Sequence, residues 1–192
     1  MQLYKIINDI REHYQGTERR PVFQLGSYAP LMIISQAPGK KVHETGIPWN
    51  DNSGLTLRNW LGVSNKEFYD PALFSIMPID FCYPGKGAHG DLPPDRKCAD
   101  RWHKVILNAL SVNPLKLLIG SYAIDYYLPA EKKKSMADKV LNYHQYLPEY
   151  FPLPHPSPRN KLWMKHHPDF QTLVLPQLKK IVHQKINQAK GS

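Results

Sequence analysis

The sequence is poor in cysteine and contains no long hydrophobic run. Two cysteines, Cys82 and Cys98, occur in 192 residues, which is too few for a disulfide framework or a cysteine-based zinc site. No apolar stretch approaches the roughly 20 residues that a membrane-spanning helix needs. The opening residues, MQLYKIINDIREHYQG, mix acids with apolar residues and do not resemble a signal peptide. We therefore expect a protein of the cytoplasm without a membrane segment.

Acidic residues are scarce relative to basic ones. The chain has 25 Lys and Arg against 16 Asp and Glu, which gives a formal net charge of +9. Beyond residue 140 the imbalance is strongest, because seven Lys and Arg there face only Glu149 and Asp169. Such an excess favours a polyanionic partner such as nucleic acid. The 42% of hydrophobic residues is enough for a globular core, and the length fits one domain over residues 1–192.

Short apolar runs alternate with helical patterns along the chain. This alternation predicts a three-layer α/β/α fold with a central four-stranded parallel sheet. Ser53 is a candidate N-cap for one of the helices. In such sheets, sites form in the loops beyond the carboxyl ends of the strands. The predicted strands are 31–35, 73–79, 116–120 and 150–153, the predicted helices are 1–15, 54–62, 95–111, one ending at Leu128, 135–142, 159–166 and 169–188, and the loops at the site edge are 35–52, 80–94 and 154–160.

The segment FPLPHPSPRN, residues 151–160, places one histidine and one serine among four prolines. Proline fixes its own φ and pushes the preceding residue toward extended geometry. His155 and Ser157 are therefore held in a stiff loop. Such stiffness suits a site in which side-chain geometry matters, although a rigid surface turn would give the same pattern.

Two further segments offer groups for a ligand at the same edge of the sheet. In SQAPG, residues 35–39, a buried strand stops at a turn whose backbone N–H groups and Gln36 amide are available for hydrogen bonds. In TGIPWNDNSG, residues 45–54, Trp49 lies in a loop framed by Gly and Pro. A Trp in a polar turn more often presents a face for stacking than one in a core.

Other familiar motifs are absent or lack their structural context. GKGAHG, residues 85–90, is followed by DLPP, which cannot begin the helix that a dinucleotide-binding loop requires. No H-E-x-x-H is present, and no Cys and His spacing suits a metal. Ser157 lacks the G-x-S-x-G context of a serine hydrolase.

Taken together, these motifs resemble the uracil-DNA glycosylase superfamily, most closely its bacterial branches that carry G-E-x-P-G as the first motif. The resemblance runs from about residue 31 to residue 186. SQAPG is similar to the first motif, and TGIPW at 45–49 matches the family's T-G-R-P-F at the same spacing. NSG at 52–54, LLIGSYAIDYYL at 117–128 and HPSPRN at 155–160 are similar to the family's R-S-G, strand-Gly-helix and H-P-S-P segments.

The resemblance implies a role for each motif residue. His155 would donate a hydrogen bond to O2 of the departing base, Trp49 would stack on that base, and the backbone at Gln36–Ala37 would contact the base edge and sugar. Arg159 stands where relatives often carry a Leu wedge, and it would fill the vacated stack or bind phosphate. The remaining implied residues are Pro156, Ser157, Pro158 and Asn160 on the DNA backbone, with Met77, Asp80 and Phe81 in the base pocket.

The sequence departs from the family pattern at the positions that handle water and read the base. Relatives carry an acid in the first motif, whereas this chain has Gln36 and Ala37, so the attacking water would be held by Gln36, Asp51 or Asp80. Met77 stands where relatives read uracil with an Asn. The iron–sulfur branch needs four cysteine ligands, so the two present predict no cluster, and we expect no cofactor and no metal.

We therefore expect a monomeric, monofunctional DNA glycosylase that hydrolyses the N-glycosidic bond of a flipped uracil, with DNA as its partner. Two alternatives remain open. The Met at position 77 allows a different deaminated or damaged base, such as hypoxanthine. The missing acid at positions 36–37 allows a catalytically silent protein that binds DNA ends or single strands. The indole of Trp49 and the imidazole of His155 are expected on opposite sides of a cavity of nucleobase size.

Overall fold

Four parallel strands form the centre of the protein in a computed structural model that describes residues 2–88 and 90–191. The strands are β1 (Leu31–Ile34), β2 (Phe74–Ile76), β5 (Leu115–Ile119) and β6 (Tyr150–Leu153), in the order β2-β1-β5-β6. Every neighbouring pair is parallel. A separate antiparallel hairpin is formed by β3 (Lys86–Gly87) and β4 (Gly90–Asp91).

Nine α-helices in the described part of the chain connect and cover the strands. The predicted helix over 1–15 is observed as α1 (Gln2–His13), and Met1 lies outside the described residues. A π-helical segment, Phe170–Val174, leads directly into the last helix. The other helices are α2 (Lys40–Thr45), α3 (Asn52–Leu61), α4 (Asn65–Phe68), α5 (Arg96–Asn108), α6 (Ser121–Tyr127), α7 (Met136–Leu141), α8 (Lys161–His166) and α9 (Leu175–Lys190).

The sheet is buried on both faces, as its continuous apolar strands require. In β1, Leu31 and Ile33 join a core cluster that includes residues of α3, α7 and α9. Met32 and Ile34 join a second cluster that includes residues of α1, α5 and α6. Because side chains alternate along a strand, these clusters lie on opposite faces of the sheet, which confirms the predicted three-layer α/β/α fold.

The segments between the strands differ from the sequence expectation in two respects. Helices α2 and α4 were not predicted, because each spans only six or four residues and so leaves little periodic signal. The N-cap of α3 is Asp51, whose side chain accepts a hydrogen bond from the backbone N–H of Gly54 at 2.7 Å. The prediction of Ser53 as that cap was wrong by two residues, since Ser53 itself lies inside the helix.

The connections bring the candidate loops to one edge of the sheet. From β1 the chain moves outward to β2 and then returns to the other side of β1 as β5. The strand order therefore reverses between β1 and β5, and ligand sites in open α/β sheets form beyond the carboxyl ends at such a switch point. No helix within residues 2–88 and 90–191 has the length and apolar character to cross a membrane.

Candidate active site

A cavity of about 510 Å³ lies beyond the carboxyl ends of the parallel strands. Its wall combines the segment after β1, the loop before α3, the hairpin β3–β4 and the proline-rich loop after β6. Pro78 and Ile76 complete the wall on the β2 side. The cavity brings together eight of the candidate site residues from the sequence, namely Gln36, Ala37, Trp49, Asp51, His155, Ser157, Arg159 and Asn160.

Three residues expected in the base pocket do not line this cavity. Met77 and Phe81 are fully buried in the core cluster that packs against α1 and α5. Asp80 is also 0% exposed, and its carboxylate accepts hydrogen bonds from other residues of the protein. At the β2 end of the sheet the cavity is therefore bordered by Ile76 and Pro78 and not by an amide-bearing side chain.

The carboxylate of Asp80 holds the two ends of the hairpin β3–β4 through hydrogen bonds. Both of its oxygens accept hydrogen bonds from Nη2 of Arg19, at 3.0 and 2.9 Å. The backbone N–H groups of Cys82 and Asp95 donate to the same carboxylate at 3.0 and 3.1 Å. Residues 82 and 95 flank the hairpin β3–β4, so one buried carboxylate fixes both of its ends. This network occupies the oxygens that would otherwise hold a water.

The hairpin carries Gly90, Asp91 and Leu92 into the cavity wall. The hydroxyl of Tyr83 donates to Oδ1 of Asp91 at 3.0 Å, and the N–H of Leu92 donates to the carbonyl of Gly85 at 2.9 Å. Gly90 has φ 132°, and a Cβ there would lie 3.0 Å from Nη2 of Arg159. The hairpin therefore meets the proline-rich loop across the cavity.

The indole of Trp49 is 8% exposed and packs against the imidazole of His155. The two ring centroids are 5.6 Å apart with an interplanar angle of 29°, which is the geometry of a stacked aromatic pair. The two rings therefore share one wall of the cavity. The expectation that they face each other across a base-sized gap is corrected, because rings in contact leave no space between them for a third.

His155 is held in place from two sides. Its backbone carbonyl accepts a hydrogen bond from Nδ2 of Asn160 at 2.7 Å. On the other side lies Gly120 with φ 83°, where a Cβ would be 3.4 Å from Cβ of His155. Burial lowers the pKa of the imidazole below its ordinary value of 6.5, and the nearby charge of Asp51 acts in the opposite direction. The ring is therefore neutral at pH 7.

Asp51 is the acidic residue that the loop before α3 contributes to the cavity. One oxygen, Oδ1, accepts the capping hydrogen bond from Gly54. In the described residues no donor is within hydrogen-bond distance of Oδ2. Asp51 therefore combines a fixed orientation, set by its helix, with one oxygen available to a ligand or a water.

Other residues that line the cavity were not singled out from the sequence. Asp91 and Leu92 lie in the loop 80–94, which the sequence predicts at the site edge without distinguishing these two residues, and their placement depends on the hydrogen bonds from Tyr83 and to Gly85. Tyr122, at the start of α6, also lines the cavity and remains partly exposed. Its position after the β5 carboxyl end was a usable signal, because that end is where sites form in parallel sheets.

The site can supply hydrogen-bond donors, an aromatic surface, a carboxylate and a cation. Across the residues that the structure describes, no group of three or more His, Cys, Asp and Glu side chains is arranged to hold a metal ion. A neutral imidazole and a nearby carboxylate in one cavity suit the protonation and hydration steps of a hydrolysis. The sequence model of the uracil DNA glycosylase superfamily matches residues 23–179, more than half of the chain, and the chain therefore belongs to that superfamily.

Proposed function

We propose that the protein is a monofunctional DNA glycosylase that hydrolyses the bond between deoxyribose and a flipped uracil, or a related deaminated base. The observation that carries this proposal is the placement of His155, Trp49 and Asp51 in one cavity. Superfamily membership supports glycosylase chemistry in general. DNA is the substrate, and the basic balance of the chain favours its binding.

His155 stabilises the leaving base. Breaking the N-glycosidic bond places negative charge on the pyrimidine and positive charge on the sugar. A fixed donor aimed at the developing anion lowers the barrier, typically by a few kcal/mol. The lowered pKa of His155 means that a neutral imidazole provides this hydrogen bond. The prolines around it and the Asn160 hydrogen bond hold the donor without reorganisation during the reaction.

Asp51 is the strongest candidate for orienting and activating the attacking water. Of the three residues considered for this role, Asp80 is occupied by Arg19 and two backbone N–H groups. Gln36 lines the cavity, but its amide cannot accept a proton at neutral pH. Asp51 lines the cavity, keeps Oδ2 available and lies close enough to His155 to influence its pKa.

The exposed cations around the cavity bind the DNA strand. Arg159 lines the cavity, and none of the described ion pairs includes its guanidinium. Lys40 and Lys41 begin α2 on one side, and Lys161 and Lys165 lie on α8 on the other; all four are exposed. Lysine is missing from the described residues that line the cavity, which disfavours a Schiff-base step on the opened sugar.

The direct test is an oligonucleotide with one deoxyuridine, incubated with the protein and then cleaved with alkali at any abasic site. Cleavage is expected with the wild-type protein on single-stranded or double-stranded substrate. His155→Ala should slow it by about 10² to 10³-fold, which is the usual cost of removing one donor to a developing anion. His144→Ala is the matched control, because His144 is exposed and does not line the cavity.

A second base remains a candidate because the β2 end of the cavity carries apolar side chains. Ile76 and Pro78 line the wall there, while Met77 is buried on the other side. A panel of oligonucleotides with uracil, hypoxanthine and xanthine separates the two substrate proposals. Binding that weakens steeply with salt, without release of any base from the panel, would instead favour a silent DNA-binding protein.

A further inference from the structure

Arg58 on α3 is a buried cation with no acidic partner within residues 2–88 and 90–191. The residue is 8% exposed, and no Asp or Glu oxygen of the described residues lies within ion-pair distance of its guanidinium. Its buried Nε has no hydrogen-bond partner among the same residues. Burying a charge without pairing it is costly. The contacts of the Arg58 side chain should therefore show what the buried guanidinium does.

Those contacts lead to the loop that carries Trp49. Nη1 of Arg58 donates to the backbone carbonyl of Trp49 at 3.3 Å and to Oη of Tyr69 at 3.4 Å. The hydroxyl of Tyr69 in turn donates to the carbonyl of Pro48 at 3.0 Å. The guanidinium also lies over the rings of Phe68 and Tyr69, at 5.2 and 5.7 Å from their centroids. Arg58 and Tyr69 thus hold two consecutive carbonyls of one turn.

The backbone that they hold is in an unfavourable conformation. Trp49 has φ 56° and is the one residue other than glycine with positive φ in the part of the chain described. For an L-residue this region costs roughly 1–2 kcal/mol, and it persists only where the surroundings enforce it. Gly54 contributes, because a Cβ at that position would overlap the carbonyl oxygen of Trp49. Helix α3 therefore approaches the turn closely enough for Arg58 to reach it.

We propose that Arg58 and Tyr69 form a positioning pair that sets the indole of Trp49 against the imidazole of His155. The pair contacts the backbone of the turn, and the turn conformation directs the indole into the cavity wall. Without these hydrogen bonds the turn relaxes to negative φ, and the indole leaves its 5.6 Å contact with His155. The consequence for catalysis rests on the proposed glycosylase function, whereas the consequence for the two rings does not.

The first measurement needs no substrate. The indole of Trp49 produces a ring-current shift on the His155 ring protons, whose NMR signals are assigned by their loss in His155→Gln. Trp49→Leu defines the position of these signals without the indole. Arg58→Met should move them most of the way to that position, and Tyr69→Phe should move them part of the way. Unchanged His155 signals in both variants would overturn the proposal.

The second measurement is the rate of base release. A displacement of about 1 Å in an active site costs on the order of 100-fold in rate, so Arg58→Met should lower kcat by about that factor. Tyr69→Phe loses the bond to Pro48 and the long bond from Arg58 but keeps the bond from Arg58 to Trp49, so it should lower kcat about fivefold. Arg58→Lys should not restore the rate, because the lysine side chain is one bond shorter than the reach of Nη1 and lacks the planar guanidinium that lies over Phe68 and Tyr69. A restored rate in Arg58→Lys would show that charge alone matters and would contradict the positioning role.

Lys139→Met is the matched control for loss of a buried cation. Lys139 is as buried as Arg58 and pairs with Asp125 at 3.3 Å, away from the cavity. The control should lose stability and keep both the His155 signals and the rate of base release. If Arg58→Met does not fold, Tyr69→Phe still tests the pair. Should the wild-type protein release no base while the His155 signals move as expected, the glycosylase proposal fails and the positioning pair stands.

Discussion

The side-chain amide of Asn160 donates a 2.7 Å hydrogen bond to the backbone carbonyl of His155. The bond joins the two ends of the HPSPRN segment and closes it into a short loop before α8. Three prolines, at positions 154, 156 and 158, limit the backbone of this loop. The prolines reduce the number of backbone conformations open to the loop but do not select one of them. The hydrogen bond from Asn160 selects the closed conformation.

Asn160→Asp should lower the rate of base release strongly and the thermal stability only slightly. A carboxylate cannot donate to the His155 carbonyl, and it repels that oxygen, so the loop loses its closed form. We expect a fall of about tenfold to 100-fold in kcat, since small displacements of a catalytic donor have large effects. Single-turnover kinetics and thermal unfolding would measure the two effects. A rate equal to wild type would show that the prolines alone hold His155.

Asp51→Asn separates the capping role of Asp51 from its role toward water. Asn is as good an N-cap as Asp, so the bond from Gly54 and the thermal stability should be retained. An amide cannot accept a proton from water, and removing a general base typically costs 10² to 10⁴ in rate. The variant should therefore be stable, bind DNA and be nearly inactive. Substantial residual activity would indicate that a group other than Asp51 activates the water.

The fold and the position of the site followed from the sequence because both depend on short-range signals. Apolar runs such as LMII, ended by Pro and Gly, mark buried parallel strands, and parallel strands place their carboxyl ends at one edge. Hence Gln36, Trp49 and His155, from loops far apart in the chain, meet in one cavity.

The sequence did not predict the directions of side chains or the contacts between residues far apart in the chain. Asp80 follows a strand at the correct edge, yet it is turned inward because Arg19, 61 residues earlier, supplies its counter-charge. Arg58 is one polar residue of the predicted helix 54–62, and nothing in the sequence distinguishes it. Its function depends on Trp49 and Tyr69, which a helical pattern does not reveal.

Asp80→Asn should loosen the hairpin β3–β4 without removing a group from the cavity. The amide nitrogen accepts no hydrogen bond, so the backbone N–H that faces it, of Cys82 or of Asp95, loses its acceptor and one hairpin end is released. Trypsin cleavage after the exposed Lys86 should then accelerate, giving fragments 1–86 and 87–192, and KM for DNA should rise more than kcat falls. Loss of kcat alone, with no change in cleavage, would instead support a direct catalytic role for Asp80.

Arg159→Gln should weaken DNA binding in a salt-dependent manner. If Arg159 contacts one phosphate, its removal lowers the slope of log K against log salt by about one. Fluorescence anisotropy with a labelled oligonucleotide, over a series of salt concentrations, would measure the slope. Lys132→Gln is the control, because Lys132 is exposed and does not line the cavity. An unchanged slope for Arg159→Gln would indicate that Arg159 fills the base stack instead.

His103 should make the protein less stable as the pH falls from 6.5 to about 4. Its Nε2 lies 3.0 Å from the carbonyl of Pro78, which can only accept, so Nε2 carries the proton and Nδ1 accepts from the hydroxyl of Tyr127 at 2.8 Å. Burial lowers the pKa of His103 to about 4. Between pH 6.5 and 4 the unfolded chain therefore binds a proton that the folded chain does not.

The sign and size of this effect follow from proton linkage. Because the unfolded state takes up more protons, the free energy of unfolding decreases as the pH falls through that range and levels off below it. A shift of this size corresponds to about 3 kcal/mol. Urea unfolding at a series of pH values would measure it for wild type and for His103→Gln, which keeps a donor for Pro78 but cannot titrate. His155, whose pKa burial also lowers, contributes to both proteins equally, so the difference between the two curves isolates His103. Parallel curves for the two proteins would mean that folding does not change the pKa of His103 and would contradict the prediction.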